Sequence, residues 1–200
     1  MTFVRTIPPS AADGAARAMY DKVQAEQGTI PNWAHVFSLR PNVRDGWVAL
    51  ITSIRPKLDV RRYELATLAA ARALHSSYCS LAHGKVLVNQ VFDAPAVTAI
   101  MNGNAAEVLT PAEVAMMAYV EKVVRNADRV SESDIGDLRS HGFSDEEIFD
   151  VAATAAARCF FSKLLDALGV QADASFNQLD GELRAALTVG RPVANSTQPA

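Results

Sequence analysis

The stretch ELATLAAARALHSSYCSLAH, residues 64–83, places a carboxylate, a thiol and an imidazole in surroundings otherwise rich in Ala and Leu. A cysteine reacts as its thiolate, and a free thiol with a pKa of about 8.5 is mostly protonated at neutral pH. A nearby imidazole can take that proton, directly or through a water. A carboxylate behind the imidazole fixes its tautomer and steadies its charged form. Glu64, His83 and Cys79 thus read as a relay ending on a nucleophilic sulfur. Ser76, three residues before the cysteine, offers a hydroxyl to the thiolate. Tyr78 either supplies a second hydroxyl or packs.

The relay exists only if the chain turns back. On one unbroken helix Glu64 and Cys79 would lie roughly 22 Å apart. His75-Ser76-Ser77 is a plausible turn, and residues 64 and 83 are nearly equidistant from it. In an antiparallel hairpin they face each other, while Cys79 and His83, four apart on the return helix, are neighbours. Cys79 also falls in the first turn of that helix, where free backbone N–H groups favour an anion. Helix start and relay together are expected to lower the thiol pKa. The plainer alternative is a cysteine packed as a small hydrophobe, a satisfied core histidine and a surface carboxylate.

The composition supports helices throughout. Alanine, the best helix former, occurs 35 times in 200 residues. No run of alternating β-branched residues bounded by turns reads as a strand. The fold class expected is all-α. With 50 % apolar and 20 % charged residues the chain is globular, and a net charge of −3 lacks the basic footprint of a nucleic-acid binder. No long uncharged apolar run spans a membrane and the start lacks an apolar signal core, so a cytoplasmic location is expected. Cys79 and Cys159 make no disulfide framework and are expected as free thiols.

Local signals divide the chain. Ser10 or Asp13 starts a helix ending at Gly28. A short aromatic segment, 32–39, and a helix from Pro41 to about Ile54 follow. The break at Arg55-Pro56 comes before a helix capped by Asp59 with its body at 63–74, and the return helix covers about 78–89. Pro95 opens a short helix. Thr110-Pro-Ala-Glu113 and Ser144-Asp-Glu-Glu147 are capping boxes, launching helices to about Asn126 and Leu168. Ser131 starts a shorter helix between them. The segment 173–187 reads as one amphipathic helix. Residues 1–189 are expected to form one domain, with 190–200 a disordered tail.

Other side chains invite weaker readings. Cys159 suits a core position better than a partner for Cys79. His75 caps a helix or lines the site, and His35 and His141 lack partners at ligand spacing, so no metal is expected. Trp33, Phe37 and Trp47 suit core or subunit interface. Arg55, Lys57, Arg61 and Arg62 form a solvated helix start or an entrance for an anion.

Glu64, Ser76-Ser-Tyr-Cys79 and His83 resemble the alkylhydroperoxidase D and carboxymuconolactone decarboxylase superfamily, whose redox members carry Glu, eleven residues, then Cys-x-x-Cys-x-x-x-His. The larger peroxidase-related branch is also similar in its lead-in, IPNWAHVFSLRPNVRDGWVAL, and its final helices, so the likeness extends over about 28–175. It implies an alkylhydroperoxidase-like helical bundle assembling as a homo-oligomer: dimer, trimer or hexamer. It implies Cys79 as the peroxide-attacking thiol, Glu64 and His83 as its proton relay, and no cofactor. Ser76 stands where the redox members have the resolving cysteine, so an external thiol reductant, or Cys159, must regenerate Cys79. The expected activity is thiol-dependent reduction of a hydroperoxide. Its rivals are acid–base chemistry by Glu64 and His83 on a carboxylated lactone, and a non-catalytic oligomeric binding protein.

Overall fold

A computed structural model describes residues 2–195. It contains ten α-helices, α1 (Gly14–Gln27), α2 (Asn32–Phe37), α3 (Pro41–Ile54), α4 (Val60–Ala73), α5 (Ser77–Gln90), α6 (Ala94–Met101), α7 (Pro111–Asn126), α8 (Glu132–Ser140), α9 (Asp145–Ala167) and α10 (Gly181–Leu187). Five short 3₁₀ turns complete the order, with no strand among the described residues. The fold is all-α. No described helix is long and apolar enough to cross a membrane.

The caps act where the sequence puts them. Asp59 accepts from the Arg62 N–H to start α4, and both capping boxes form, at Thr110/Glu113 for α7 and at Ser144/Glu147 for α9. Gly28 and Gly169 end their helices in the left-handed region at φ 72° and 74°. The segment 173–187 departs from the single helix expected. The Asp180 carboxylate accepts from Glu182 and Leu183 N–H and starts α10 afresh, leaving only a 3₁₀ turn over Ala174–Gln178.

At the centre lies α4, packed against α5, α7 and α9. Ten of its fourteen residues are buried, so it is enclosed on nearly every side. Ala66, Ala69, Ala70 and Ala71 let the surrounding helices approach closely. Ion pairs clasp its first turn, Arg61 to Glu113 on α7 and Arg62 to Glu147 on α9, the latter at 2.5 Å. The chain beyond residue 189 begins along this body: Gly190 N–H donates to Ser77 Oγ at 2.8 Å and Ala194 N–H to the Ala172 carbonyl at 2.9 Å. Residues 196–200 of the expected disordered tail lie outside the described residues.

Candidate active site

The turn between α4 and α5 sets the geometry. His75 takes a left-handed φ of 54°, and the Ser76 N–H reaches back to the Ala71 carbonyl at 2.9 Å. The chain reverses there, and α5 returns antiparallel beside α4. Glu64 Oε2 consequently meets His83 Nδ1 at 2.5 Å, the pairing expected from the spacing. Glu64 is 1 % exposed, and its other oxygen lies 3.9 Å from the Arg55 guanidinium. With the Glu64 carboxylate on Nδ1, that nitrogen carries the proton and Nε2 is left as an acceptor. His75 points outward, its Nδ1 3.3 Å from the Val189 carbonyl.

Cys79, three residues into α5, is 2 % exposed, and its Sγ accepts a hydrogen bond from Ser162 Oγ on α9 at 3.1 Å. Burial pushes the thiol pKa up, and the Asp166 carboxylate adds to that. Arg158 and the hydroxyls of Ser162 and Ser76 pull it down without prevailing. This reverses the expectation of a lowered pKa: losing the thiolate's hydration costs more than the neighbouring dipoles and charge return. For His83, burial and Arg158 lower the pKa against the opposing pull of Glu64. The resting site therefore pairs a neutral thiol with a neutral imidazole.

The two flanking hydroxyls do other things than expected. Ser76 is fully buried at the N-cap of α5, yet its Oγ makes no hydrogen bond of ordinary geometry, although it lies close enough to Cys79 and Asp166 to favour their charged forms. The donor to Cys79 is Ser162 instead. Tyr78 spends its hydroxyl on Asp173, whose other carboxylate oxygen holds the Asn32 N–H at 2.7 Å. Burial and Asp173 raise the phenol pKa well above its usual value.

Cys79 and His83 line one pocket of about 260 Å³, with the ring of Tyr78 at its wall. Trp33, Trp47 and Phe161 form an aromatic side, with Phe161 stacked on Trp47 at 5.1 Å and tilted against Trp33 at 6.3 Å. Arg44 and Arg158 also line it. Larger hollows beside Phe149 and beside Asp180 contain neither cysteine nor histidine.

Sequence reasoning left out Arg44, Arg158 and Ser162. One signal was there for Arg158: it is the only charged residue between Asp150 and Lys163, in an otherwise apolar stretch of helix. Trp33 and Trp47 were given to core or interface and prove to line the pocket. Of the basic cluster, Arg61 and Arg62 are engaged in the clasps on α4 and Arg55 lies beside Glu64. Cys159 is half-buried, free and outside the pocket lining. His35 contacts the Tyr20 hydroxyl at 3.4 Å and His141 the Asp137 carbonyl at 2.9 Å.

A helical hairpin thus sets a Glu–His pair and a buried cysteine beside one small pocket. Residues 41–122 match the carboxymuconolactone decarboxylase family. That match spans about two fifths of the chain. An uncharacterized peroxidase-related protein with an alkylhydroperoxidase AhpD core from Ralstonia eutropha JMP134 superposes with a TM-score of 0.75 at 23 % identity, over 95 % of this chain and 98 % of that one. The debrominase Bmp8, as a cysteine-to-alanine variant in complex with 2,3,4-tribromopyrrole, gives 0.71 at 16 % identity over 94 % and 96 % of the two chains. A putative antioxidant defence protein AhpD from Agrobacterium tumefaciens gives 0.63 at 21 % identity over 68 % and 94 %. These likenesses establish the fold. No curated protein matches the sequence.

Proposed function

We propose that this protein is a thiol-dependent peroxidase-type oxidoreductase that reduces a small hydroperoxide through Cys79. The observation that carries the reading is the pocket itself: the sulfur and the imidazole line the same small space, with Glu64 holding His83 by Nδ1 so that Nε2 remains an acceptor. The family is enzymatic in general, and its fold-mates are named as peroxidase-related, antioxidant and debrominating proteins.

The raised thiol pKa shapes the mechanism. The sulfur rests protonated and becomes nucleophilic only as His83 takes its proton. Sulfur then attacks the outer peroxide oxygen, the O–O bond breaks, and the proton passes from His83 to the departing alkoxide as alcohol. Cys79 is left as a sulfenic acid. With Ser76 where a resolving cysteine would stand, an external thiol condenses with the sulfenic acid, releasing water and forming a mixed disulfide. A second thiol frees Cys79 and leaves as the oxidised disulfide.

The buried, protonated thiol also favours a second reading, in which Glu64 and His83 perform acid–base chemistry and Cys79 is a bystander. Peroxide consumption in the presence of a monothiol separates the two. The peroxidase reading expects Cys79→Ser to abolish turnover and His83→Asn to slow it by about a hundredfold or more. A wild-type protein inert to hydroperoxides would overturn it and bring the lyase forward.

A further inference from the structure

Buried arginines normally meet a carboxylate, because an unpaired guanidinium out of water is costly. In this pocket Arg158 has no carboxylate within ion-pair distance among the described residues, and Arg44 has only long pairs to exposed ones. Arg158 is 6 % exposed, and among the described residues its only hydrogen bond goes to the neutral Tyr63 hydroxyl; its Nε is buried without a partner there. Arg44 is 5 % exposed with its Nε likewise unpartnered. The nearest carboxylates to Arg44, Glu26 at 3.8 Å and Asp45 at 3.7 Å, lie beyond hydrogen-bond distance, and their side chains are 50 % and 71 % exposed. Each guanidinium is instead laid over a tryptophan, Arg44 at 5.5 Å from the Trp33 ring and Arg158 at 5.7 Å from the Trp47 ring.

We infer that the pocket takes a small, planar aromatic substrate bearing a carboxylate, with the carboxylate held by Arg44 and Arg158 and the ring against Trp33, Trp47 and Phe161. Two planar guanidinium forks suit a planar carboxylate, which accepts paired N–H bonds from such a fork. The aromatic walls suit a flat apolar body, and a volume of about 260 Å³ admits one ring with a short substituent, smaller than the usual drug-sized site. The inference rests on the reading of this pocket as the reacting site, since it places the substrate's far end beside Cys79 and His83. It also relocates the anion entrance: the basic side chains that serve it sit on α3 and α9 inside the pocket, while those on the first turn of α4 are engaged in ion pairs.

The chain has two tryptophans, Trp33 and Trp47, and both line the pocket, so its tryptophan fluorescence reports on this site alone. Titration of the reduced wild-type protein with benzoate should change that fluorescence saturably. Benzamide, the same shape without charge, should bind at least about tenfold more weakly, the effect of one charge-assisted hydrogen bond. Acetate and inorganic phosphate should bind more weakly than benzoate. Arg44→Met and Arg158→Met should each weaken benzoate by about tenfold to a hundredfold and leave benzamide nearly unchanged. Equal binding of benzoate and benzamide overturns the inference, as does acetate or phosphate matching benzoate; these arms need no variant. Binding is read without turnover. If benzoate binds as expected but Cys79→Ser keeps full activity, the peroxidase reading fails and this inference stands. If Cys79 consumes peroxide and no carboxylate binds, the reverse holds.

Discussion

Replacing Ser162 by Ala tests how the thiolate is stabilised. The Ser162 hydroxyl donates to Cys79 Sγ at 3.1 Å, and Ser162 is fully buried. The space left by one oxygen is too small for a replacement water. A hydrogen bond to a neutral group is worth about 0.5–1.5 kcal/mol net, and one to a charged group about 1.5–3 kcal/mol. The hydroxyl therefore favours thiolate over thiol by about 1 kcal/mol, close to a fivefold change in the thiolate fraction.

The assay is the rate of Cys79 alkylation by iodoacetamide from about pH 6 to about pH 10, spanning the usual thiol range, with mass spectrometry separating Cys79 from Cys159. In Ser162→Ala the Cys79 rate at neutral pH should fall about fivefold, with the high-pH plateau unchanged. Cys159, whose pKa is set by its own burial and by Lys163, serves as the internal reference. An unchanged rate at neutral pH would refute the reasoning. So would a plateau that falls in parallel, since the variant would then have altered access to the sulfur and not its ionisation.

His83, whose pKa is lowered in the folded protein, takes up a proton more readily when unfolded. Its contribution to stability is thus complete above about pH 6.5 and is lost as the pH falls below that value, so His83→Asn should flatten this part of a denaturation-against-pH curve. Asp166, with its pKa raised by burial, has the opposite dependence, contributing in acid and losing effect as the pH rises through its folded value. Ser76→Cys puts a thiol in a fully buried N-cap position three residues from Cys79, where the serine hydroxyl has no partner. Peroxide should convert this variant to a 76–79 disulfide, seen by mass as the loss of two hydrogens, while the wild type goes on to sulfinic acid when no outside thiol is present. Sedimentation at micromolar concentration should give a homo-oligomer that Phe160→Ser or Leu50→Ser weakens, because both side chains are nearly half exposed on α9 and α3 and Phe160 extends the Trp47 stack outward. A wild-type monomer would refute that.

What the sequence revealed follows the range of the interactions. Caps at Asp59, Thr110 and Ser144 depend on residues three apart, and each formed where its motif stands. The Glu64–His83 pair needed only a turn and equal distances from it. Ser162 meets Cys79 across 83 residues of chain, and no local pattern encodes such a contact. Arg158 carried a partial signal, a single charge in an apolar helix, but its meaning depends on what the helix faces. The direction of the Cys79 pKa was misjudged for the same reason. A helix start is visible in sequence, whereas burial depends on which distant residues, Ser162 of α9 among them, meet the sulfur, and burial dominates.

Arg158 affects both members of the relay, and this sets what its removal can do. Its charge lowers the pKa of Cys79 and that of His83. Proton transfer from sulfur to imidazole is governed by the difference between the two, so a cation that lowers both leaves the balance nearly where it was. Glu64 acts on one side only, supporting the imidazolium through Nδ1. Kinetics with an aromatic carboxylate-bearing hydroperoxide should therefore separate the two residues. Glu64→Gln should lower kcat by about a hundredfold or more, the effect of disabling a general base. Arg158→Met should raise KM by about tenfold or more with kcat changed by only a small factor, as expected when an interaction common to ground and transition states is removed. A fall in kcat for Arg158→Met as deep as that for Glu64→Gln, at unchanged KM, would mean that the guanidinium acts on the reacting atoms and does not anchor the substrate.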